Sequence, residues 1–446
     1  MTALHPLAYD PDVMTRALGE LRRHPVPATE KGFSGVAQEG PVAPAALVRR
    51  HVGAGGFATP LLVLRDTAVR ANVATMAAYC KDASVELAPH AKTTMAPQLF
   101  ERQLEAGAWG LTAATVRQAR VYRAFGVRRI LLANQLADPA AIAWVAAERE
   151  RDETFEFCCY VDSVAGVRLL DEALRPSGAE HGRRLPVLVE LGWPGGRTGA
   201  RGVGAALDVA RAAAATDSLC VVGAACFEGV VGHGTSAEVL DGVARFCAEL
   251  RRLGEAIRPL VTCGLDGVPG PAPLVLTAGG SAYFDVVVRE LTDAGGSGDV
   301  AVVLRSGCYV THDHGAYAET SPFERGTAGS GRLVPALELW ARVLSRPEPG
   351  LAYLDAGRRD VAFDEGMPIP LTIRTRGGDE RAARDLTVTK LNDQHAFVRV
   401  DASTELTPGD LVRLGISHPC TTFDKWRVIP MLDDDDRIVD IAHTFF

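Results

Sequence analysis

Short apolar runs recur through the first two thirds of the chain, at 85–88, 109–112, 129–132, 156–161, 186–191, 221–226, 274–277 and 300–305. Between most of them the apolar positions take a helical period, as in Ala96 to Glu105, Val116 to Phe125, Ala140 to Glu148 and Ala237 to Arg252. Runs this short, apolar throughout, predict strands buried on both faces. Eight such strands alternating with helices predict a parallel sheet closed into a TIM-type (β/α)8 barrel. An open doubly wound sheet competes, but it calls for a Gly-rich turn after the first strand, and that turn is missing. After Gly307 the rhythm changes. Segments 333–345, 350–355, 369–376, 385–390, 395–400, 410–414 and 426–432 are short, alternating and rich in Val, Leu and Thr, which predicts an antiparallel β-domain. Upstream, a helical stretch near Asp12 to Arg22 leads through a Pro/Gly-rich segment to Leu61-Leu62-Val63-Leu64, a short buried strand. The expected division is therefore 1–66 as an N-terminal extension with a strand joining the β-domain, 67–307 as the barrel, and 308–446 as the β-domain.

Composition narrows the class. The 446 residues exceed what one core usually holds, although a barrel alone takes about 250. Hydrophobic residues at 47% and charged residues at 23% are ordinary for a soluble globular protein. A net charge of −8 argues against nucleic-acid and anionic-membrane partners, which both need a basic face. The N-terminal MTALHPLAYDPDVM lacks a charged-then-apolar signal pattern, and no run of about 18 apolar residues occurs. Nine dispersed cysteines without CxxC spacing read as mostly reduced, buried thiols of a cytoplasmic protein rather than a disulfide frame.

Three places carry candidate chemistry. Pro89-His90-Ala91-Lys92-Thr93 sets a lysine where the first barrel strand hands over to a helix, at the end where such barrels keep reactive groups. Most lysines are solvated surface groups, but an apolar neighbourhood lowers a lysine pKa, as Schiff-base chemistry requires. Thr277-Ala278-Gly279-Gly280-Ser281-Ala282 follows the seventh strand and exposes backbone N–H groups suited to a phosphate. Together the two describe a site for pyridoxal 5′-phosphate. Ser417-His418-Pro419-Cys420 puts an imidazole and a thiol two apart, able to turn the same way from an extended backbone, and this soft pair favours Zn²⁺. Bare His-x-Cys is more often a polar loop with a buried thiol. The Asp433–Asp436 run reads as a solvated hairpin turn rather than a cation site, because a turn cannot converge four carboxylates.

From about Thr59 to Phe446 the chain resembles the fold-type III pyridoxal-phosphate enzymes, specifically the D-serine dehydratase-like group that also holds D-threonine aldolases. Pro-His-Ala-Lys-Thr is similar to that group's cofactor-lysine motif, which implies Lys92 as the Schiff-base residue. Segments 103–108, 131–135, 354–357 and 364–368 also resemble family segments. Gly196-Arg197-Thr198-Gly199 resembles the arginine turn after the fifth strand, implying a hydrogen bond from Arg197 to the cofactor phenolate. Thr277 to Tyr283 resembles the phosphate-binding turn, with Thr277, Gly279, Gly280, Ser281 and Tyr283 as its candidates. Dehydratases of the group carry His-x-Cys where aldolases carry histidine with aspartate, so His418 and Cys420 resemble the dehydratase metal pair. Thr421 to Trp426 departs from the usual continuation, which bears on the substrate side chain. Phe227 stands where related enzymes have tyrosine, so no residue is assigned to the pyridine nitrogen.

The activity these readings imply is loss of water and ammonia from a D-β-hydroxy amino acid, such as D-serine or D-threonine, to give a 2-oxo acid. Lys92 takes the α-proton and zinc assists the leaving hydroxyl. His233, in Val231-Gly232-His233-Gly234 after the sixth strand, is a candidate auxiliary acid or base. Aldolase cleavage uses the same lysine and metal; Cys420 in place of a carboxylate argues against it. A racemase leaves the His-Pro-Cys site idle, and a non-catalytic cofactor carrier has no use for the β-domain. The resemblance also implies a homodimer.

Overall fold

Each of the eight early apolar runs is a strand in the computed structural model, which describes residues 7–52, 56–175, 183–292 and 300–446. Residues 1–6 and 53–55 of the expected extension lie outside the described residues. Strand β1 is Leu61–Arg65. The barrel strands are β2 (Glu86–Leu87), β3 (Leu111–Ala113), β4 (Arg129–Gln135), β5 (Glu156–Val161), β6 (Leu185–Gly192), β8 (Leu219–Ala225), β9 (Leu274–Ala278) and β10 (Val300–Leu304); the short β7 (Ala200–Arg201) pairs beside β6. Their order is β2-β10-β9-β8-β6-β5-β4-β3, all parallel. Trp109 N donates to Leu87 O at 2.8 Å and Thr112 N to Pro89 O at 2.9 Å, which joins the first strand to the last in this order and closes the ring.

The continuous apolar runs follow from burial on two sides. Along β5, Phe157 and Cys159 pack into the outer layer with the helices, whereas Cys158 and Tyr160 fill the barrel interior with Leu131, Leu188 and Val275. A strand with solvent on neither face keeps a polar residue only where a partner satisfies it, so such strands read as apolar runs. The helices between are locally specified: Asp138, Ser163 and Ser236 accept hydrogen bonds from the first turns of helices Pro139–Arg151, Val164–Leu174 and Ala237–Ile257. No helix among the described residues is long and apolar enough to cross a membrane.

The β-domain holds β11 (Leu337–Glu348), β12 (Leu351–Leu354), β13 (Ile369–Arg374), β14 (Glu380–Ala382), β15 (Leu386–Leu391), β16 (Ala396–Val400), β17 (Leu411–Gly415), β18 (Val428–Leu432) and β19 (Ile438–His443). Strand β1 lies inside this sheet, antiparallel to β11 and parallel to β18, which is the one parallel pair of a sheet expected to be antiparallel. Strand β14 was not expected; it is three residues at a sheet edge, and an edge needs no apolar signal.

Two expectations need correction. The turn between β18 and β19 is a hairpin, but Asp436 within it is not solvated: it is buried at φ 58° and accepts from Arg65 (2.6 Å), Arg374 (2.8 Å) and Arg413 (2.6 Å). Burial pushes Asp436 up, but the hydrogen bonds from Arg65 and Arg374 and the charge of Arg413 outweigh it and hold it below the usual carboxylate range. Among the cysteines, Cys220 and Cys263 are joined as a disulfide at the barrel interior. The other seven are free thiols, six buried and Cys420 half-buried, as expected.

Candidate active site

Lys92 sits on a single 3-10 turn, Ala91–Thr93, immediately beyond β2. The turn is anchored on both sides, since Thr112 Oγ1 donates to Ala88 O (2.6 Å) and His90 N to Arg305 O (3.2 Å). Half-buried, Lys92 lines a cavity of about 380 Å³ at the C-terminal mouth of the barrel, within the size range of small-molecule sites. The neighbourhood is not the apolar one expected. Arg305, Arg197, His90, Tyr160 and Glu190 line the same cavity. Burial, with the charges of Lys92, Arg305 and Arg197, holds His90 well below its ordinary value, so it is neutral. His90 Nδ1 and Tyr160 Oη are buried without a hydrogen-bond partner, polar groups facing a cavity that a ligand can satisfy. Glu190 accepts from Gln135 Nε2 (2.6 Å) and Thr198 Oγ1 (3.2 Å), yet burial still raises it.

Arg197 belongs to the turn after β6 and lies over the Phe227 ring at 4.5 Å. Arg201 holds this turn from behind, donating to Gly196 O (3.1 Å), Arg197 O and Gly199 O (2.7 Å). Arg305 is buried; it donates to Thr277 Oγ1 (2.6 Å) and Cys226 O (2.6 Å). Thr277 therefore serves Arg305 and does not line the cavity, contrary to its expected place at a phosphate.

The turn after β9 is also rearranged relative to expectation. Its two glycine amides are not free to cradle an anion: Gly279 N (3.0 Å) and Gly280 N (2.6 Å) both donate to the fully buried carboxylate of Glu228. Gly279 has φ 92°, and a side chain there would meet Leu304, so the turn needs glycine. Gly280 and Ser281 do line the cavity, just before helix Phe284–Thr292, whose N-terminus favours an anion. Tyr283 points away, donating to Gly232 O (3.1 Å) and Gly234 O (2.7 Å) on either side of His233. His233 itself is exposed and lines a second, adjoining cavity of about 810 Å³, outside the side chains around Lys92. Of the expected cofactor residues, then, Lys92, Arg197, Gly280 and Ser281 meet in one cavity, and Thr277, Gly279 and Tyr283 support it from outside.

His418 and Cys420 reach the same cavity from the β-domain, over the barrel mouth. The backbone between them is not extended: Pro419 is helical and opens the short helix Cys420–Phe423, which still turns both side chains inward. His418 Nδ1 meets Asp364 Oδ2 at 2.7 Å, and Thr421 Oγ1 donates to Asp364 Oδ1 at 2.9 Å. Cys420 Sγ lies 3.4 Å from Cys308 Sγ and 3.4 Å from Thr93 Oγ1. The hydrogen bond from Cys308 holds the Cys420 thiol well below its ordinary value, against burial and with help from His418. Burial opposes charge on His418, but Cys420 and Asp364 raise it to about 9. A thiolate and an imidazole backed by a carboxylate form a donor set of zinc type. Among the described residues no group of three His, Cys, Asp or Glu is placed to hold a metal. The divergent segment after Cys420 packs inward: Phe423 and Trp426 are buried, and Trp426 Nε1 donates to Asp360 O at 2.8 Å.

Sequence reasoning missed Arg305, Glu228, Glu190, Cys308 and Asp364. Arg305 had a readable signal, a charge at the end of an apolar strand like that of Lys92. Glu228, Cys308 and Asp364 take their meaning only from partners 51, 112 and 54 residues away.

A lysine and several cationic side chains thus share a cavity at the mouth of a parallel barrel, with the β-domain over it. Residues 65–267 match the model described as "Alanine racemase, N-terminal domain", and residues 336–432 that described as "Putative serine dehydratase domain". The chain is 27% identical to the 3-hydroxy-D-aspartate aldolase of Paracoccus denitrificans over 375 residues, 83% of this chain and 88% of that one. It is 28% identical to the D-threo-3-hydroxyaspartate dehydratase of a Delftia species over 396 residues, 85% of this chain and 95% of that one. That dehydratase has also been solved, at TM-score 0.67, 22% identity and coverage of 87% and 97%, one of its structures being a cysteine-to-alanine variant in the metal-free form. The D-threonine aldolase of Filomicrobium marinum superposes at TM-score 0.70 with 23% identity, covering 87% of this chain and 95% of that one. The chain belongs to the fold-type III pyridoxal-phosphate family with an alanine-racemase N-terminal barrel and a D-serine-dehydratase-type second domain, in the group of D-threonine aldolases and D-hydroxyaspartate dehydratases. It is a family of pyridoxal-phosphate-dependent lyases.

Proposed function

We propose that this protein is a dehydratase that removes water and ammonia from a D-β-hydroxy amino acid to give a 2-oxo acid, using pyridoxal 5′-phosphate and zinc. The supporting observation is that one cavity of about 380 Å³ holds both Lys92 from the barrel and the His418–Cys420 pair from the β-domain. When bound, the cofactor supplies an electron sink at the α-carbon and the metal a Lewis acid for the β-hydroxyl. Lys92 would hold the cofactor and then serve as general base for the α-proton. Arg197 would face the cofactor's phenolic oxygen, and Ser281, before helix Phe284–Thr292, its phosphate. His418 and Cys420 would be the protein ligands to zinc, with substrate and water completing the coordination; Asp364 holds the imidazole at Nδ1, so that Nε2 would be the nitrogen offered to the metal. A base on one side of the substrate and a metal on the other suit elimination across Cα–Cβ.

Cys420, a thiolate rather than a carboxylate beside the histidine, favours dehydration. Aldolase cleavage is the second reading, because aldolases and a dehydratase are equally similar to the chain. The test is incubation with D-serine, D-threonine and D-threo-3-hydroxyaspartate. Ammonia and 2-oxo acids are expected, with L-enantiomers inert; glycine with an aldehyde assigns the aldolase instead. We further propose a cytoplasmic homodimer acting on a free amino acid, to be checked by light scattering.

A further inference from the structure

We propose that Cys308 and Cys420 form a reversible oxidation site at the seam between the two domains. Cys308 follows β10 of the barrel and Cys420 opens a short helix of the β-domain, yet their sulfurs lie 3.4 Å apart across 112 residues of sequence. A disulfide needs about 2.05 Å, so closing the pair takes little more than 1 Å of movement shared by two side chains. Both residues line the cavity around Lys92, Cys420 half-buried and Cys308 deeper at 6% exposed. Thr93 Oγ1 touches both, at 3.4 and 3.8 Å, which sets the pair directly against the turn that carries Lys92. Of the other free thiols, Cys226 and Cys247 also meet, but both are fully buried in the core, and none of Cys80, Cys158, Cys159, Cys226 and Cys247 lines this cavity.

Two neighbouring thiols on one cavity, Cys420 the less buried of them, suit oxidation by a small peroxide in two steps. Cys420 sulfur attacks the O–O bond and becomes a sulfenic acid, releasing one water. Cys308 sulfur then displaces the hydroxyl from Cys420, forming the S–S bond and releasing the second water. The two thiols give up two electrons and two protons, and the peroxide is reduced to two waters. The product staples the barrel to the β-domain and withdraws Cys420 from any metal. Thiol–disulfide exchange with an added dithiol reverses it. The site goes beyond the dehydratase reading and belongs to the zinc-free protein.

The experiment treats the full chain with one equivalent of hydrogen peroxide, alkylates it under denaturing conditions and maps the peptides. The expected result is a peptide pair joined through Cys308 and Cys420, lighter by two hydrogens and restored by dithiothreitol. In Cys308→Ser, Cys420 has no resolving thiol and should stop at the sulfenic acid with one equivalent of peroxide, advancing to the sulfinic acid when a second equivalent is added. Prior loading with zinc should slow linkage if Cys420 is a ligand; unchanged linkage with zinc counts against the metal reading alone. Wild-type protein in which both cysteines remain alkylatable, or in which Cys420 is over-oxidised while Cys308 stays reduced, overturns the proposal even if the variant does not fold.

Discussion

Replacing Glu228 by glutamine tests the observation that a buried carboxylate, not a phosphate, occupies the Gly279 and Gly280 amides. In the wild type both amides donate to the carboxylate's two oxygens, at 3.0 and 2.6 Å, with Glu228 fully buried. Glutamine is nearly isosteric but keeps a single acceptor. Its amide NH₂ would face one of the two backbone N–H groups, leaving a buried donor against a donor. Hydrogen bonds to charged groups contribute about 1.5–3 kcal/mol, and an unsatisfied buried donor costs about 1–3 kcal/mol. A loss of about 2 kcal/mol in the ordered turn follows, equivalent to roughly thirtyfold in an equilibrium constant. Because Ser281 is next in the chain and the helix Phe284–Thr292 starts just beyond, the disorder falls on the expected anion site. Titration of apo-protein with pyridoxal phosphate, followed by absorbance, should show a dissociation constant raised about thirtyfold, with a lower melting temperature. A dissociation constant within twofold of wild type together with an unchanged melting temperature would refute the reasoning.

Further outcomes are expected. Borohydride reduction of the cofactor-loaded protein should place the pyridoxyl label on Lys92, and Lys92→Ala should bind cofactor without becoming reducible. Cys420→Ala and His418→Ala should each lose stoichiometric zinc in metal analysis while retaining the cofactor's absorbance. Since His418 is raised to about 9 in the metal-free protein, zinc must displace its proton at neutral pH. Affinity should therefore climb about tenfold per pH unit between roughly 7 and 9, with about one proton released per zinc in calorimetry at pH 7. Asp436→Asn leaves three half-buried arginines with one fewer counter-charge and should destabilise the β-domain by about 1.5–3 kcal/mol, read from the fluorescence of Trp340, whose ring lies 4.5 Å from Arg413. Asp436 is depressed in the fold, so its stabilisation is complete above the unfolded carboxylate value near 3.9 and is lost as pH falls below it.

The amino-acid sequence by itself determined the barrel, the β-domain and the place of Lys92 beyond a strand end. Strand runs such as 156–161 and 186–191 are legible because a strand buried on both faces leaves a local, continuous apolar signal. Lys92 is legible because it interrupts such a signal at a strand end. Tertiary structure decided the rest, for a physical reason visible at four residues. Glu228 reads as a loop carboxylate until a turn 51 residues on presents two amides to it. Thr277 reads as a phosphate ligand until Arg305 takes its hydroxyl. Asp436 reads as solvated until β1, β13 and β17 bring three arginines to it. Cys308 reads as a buried thiol until the β-domain folds over the barrel and sets Cys420 against it. Hydrophobic periodicity is a property of neighbours along the chain, whereas the pairing of charges, amides and thiols is a property of neighbours in space.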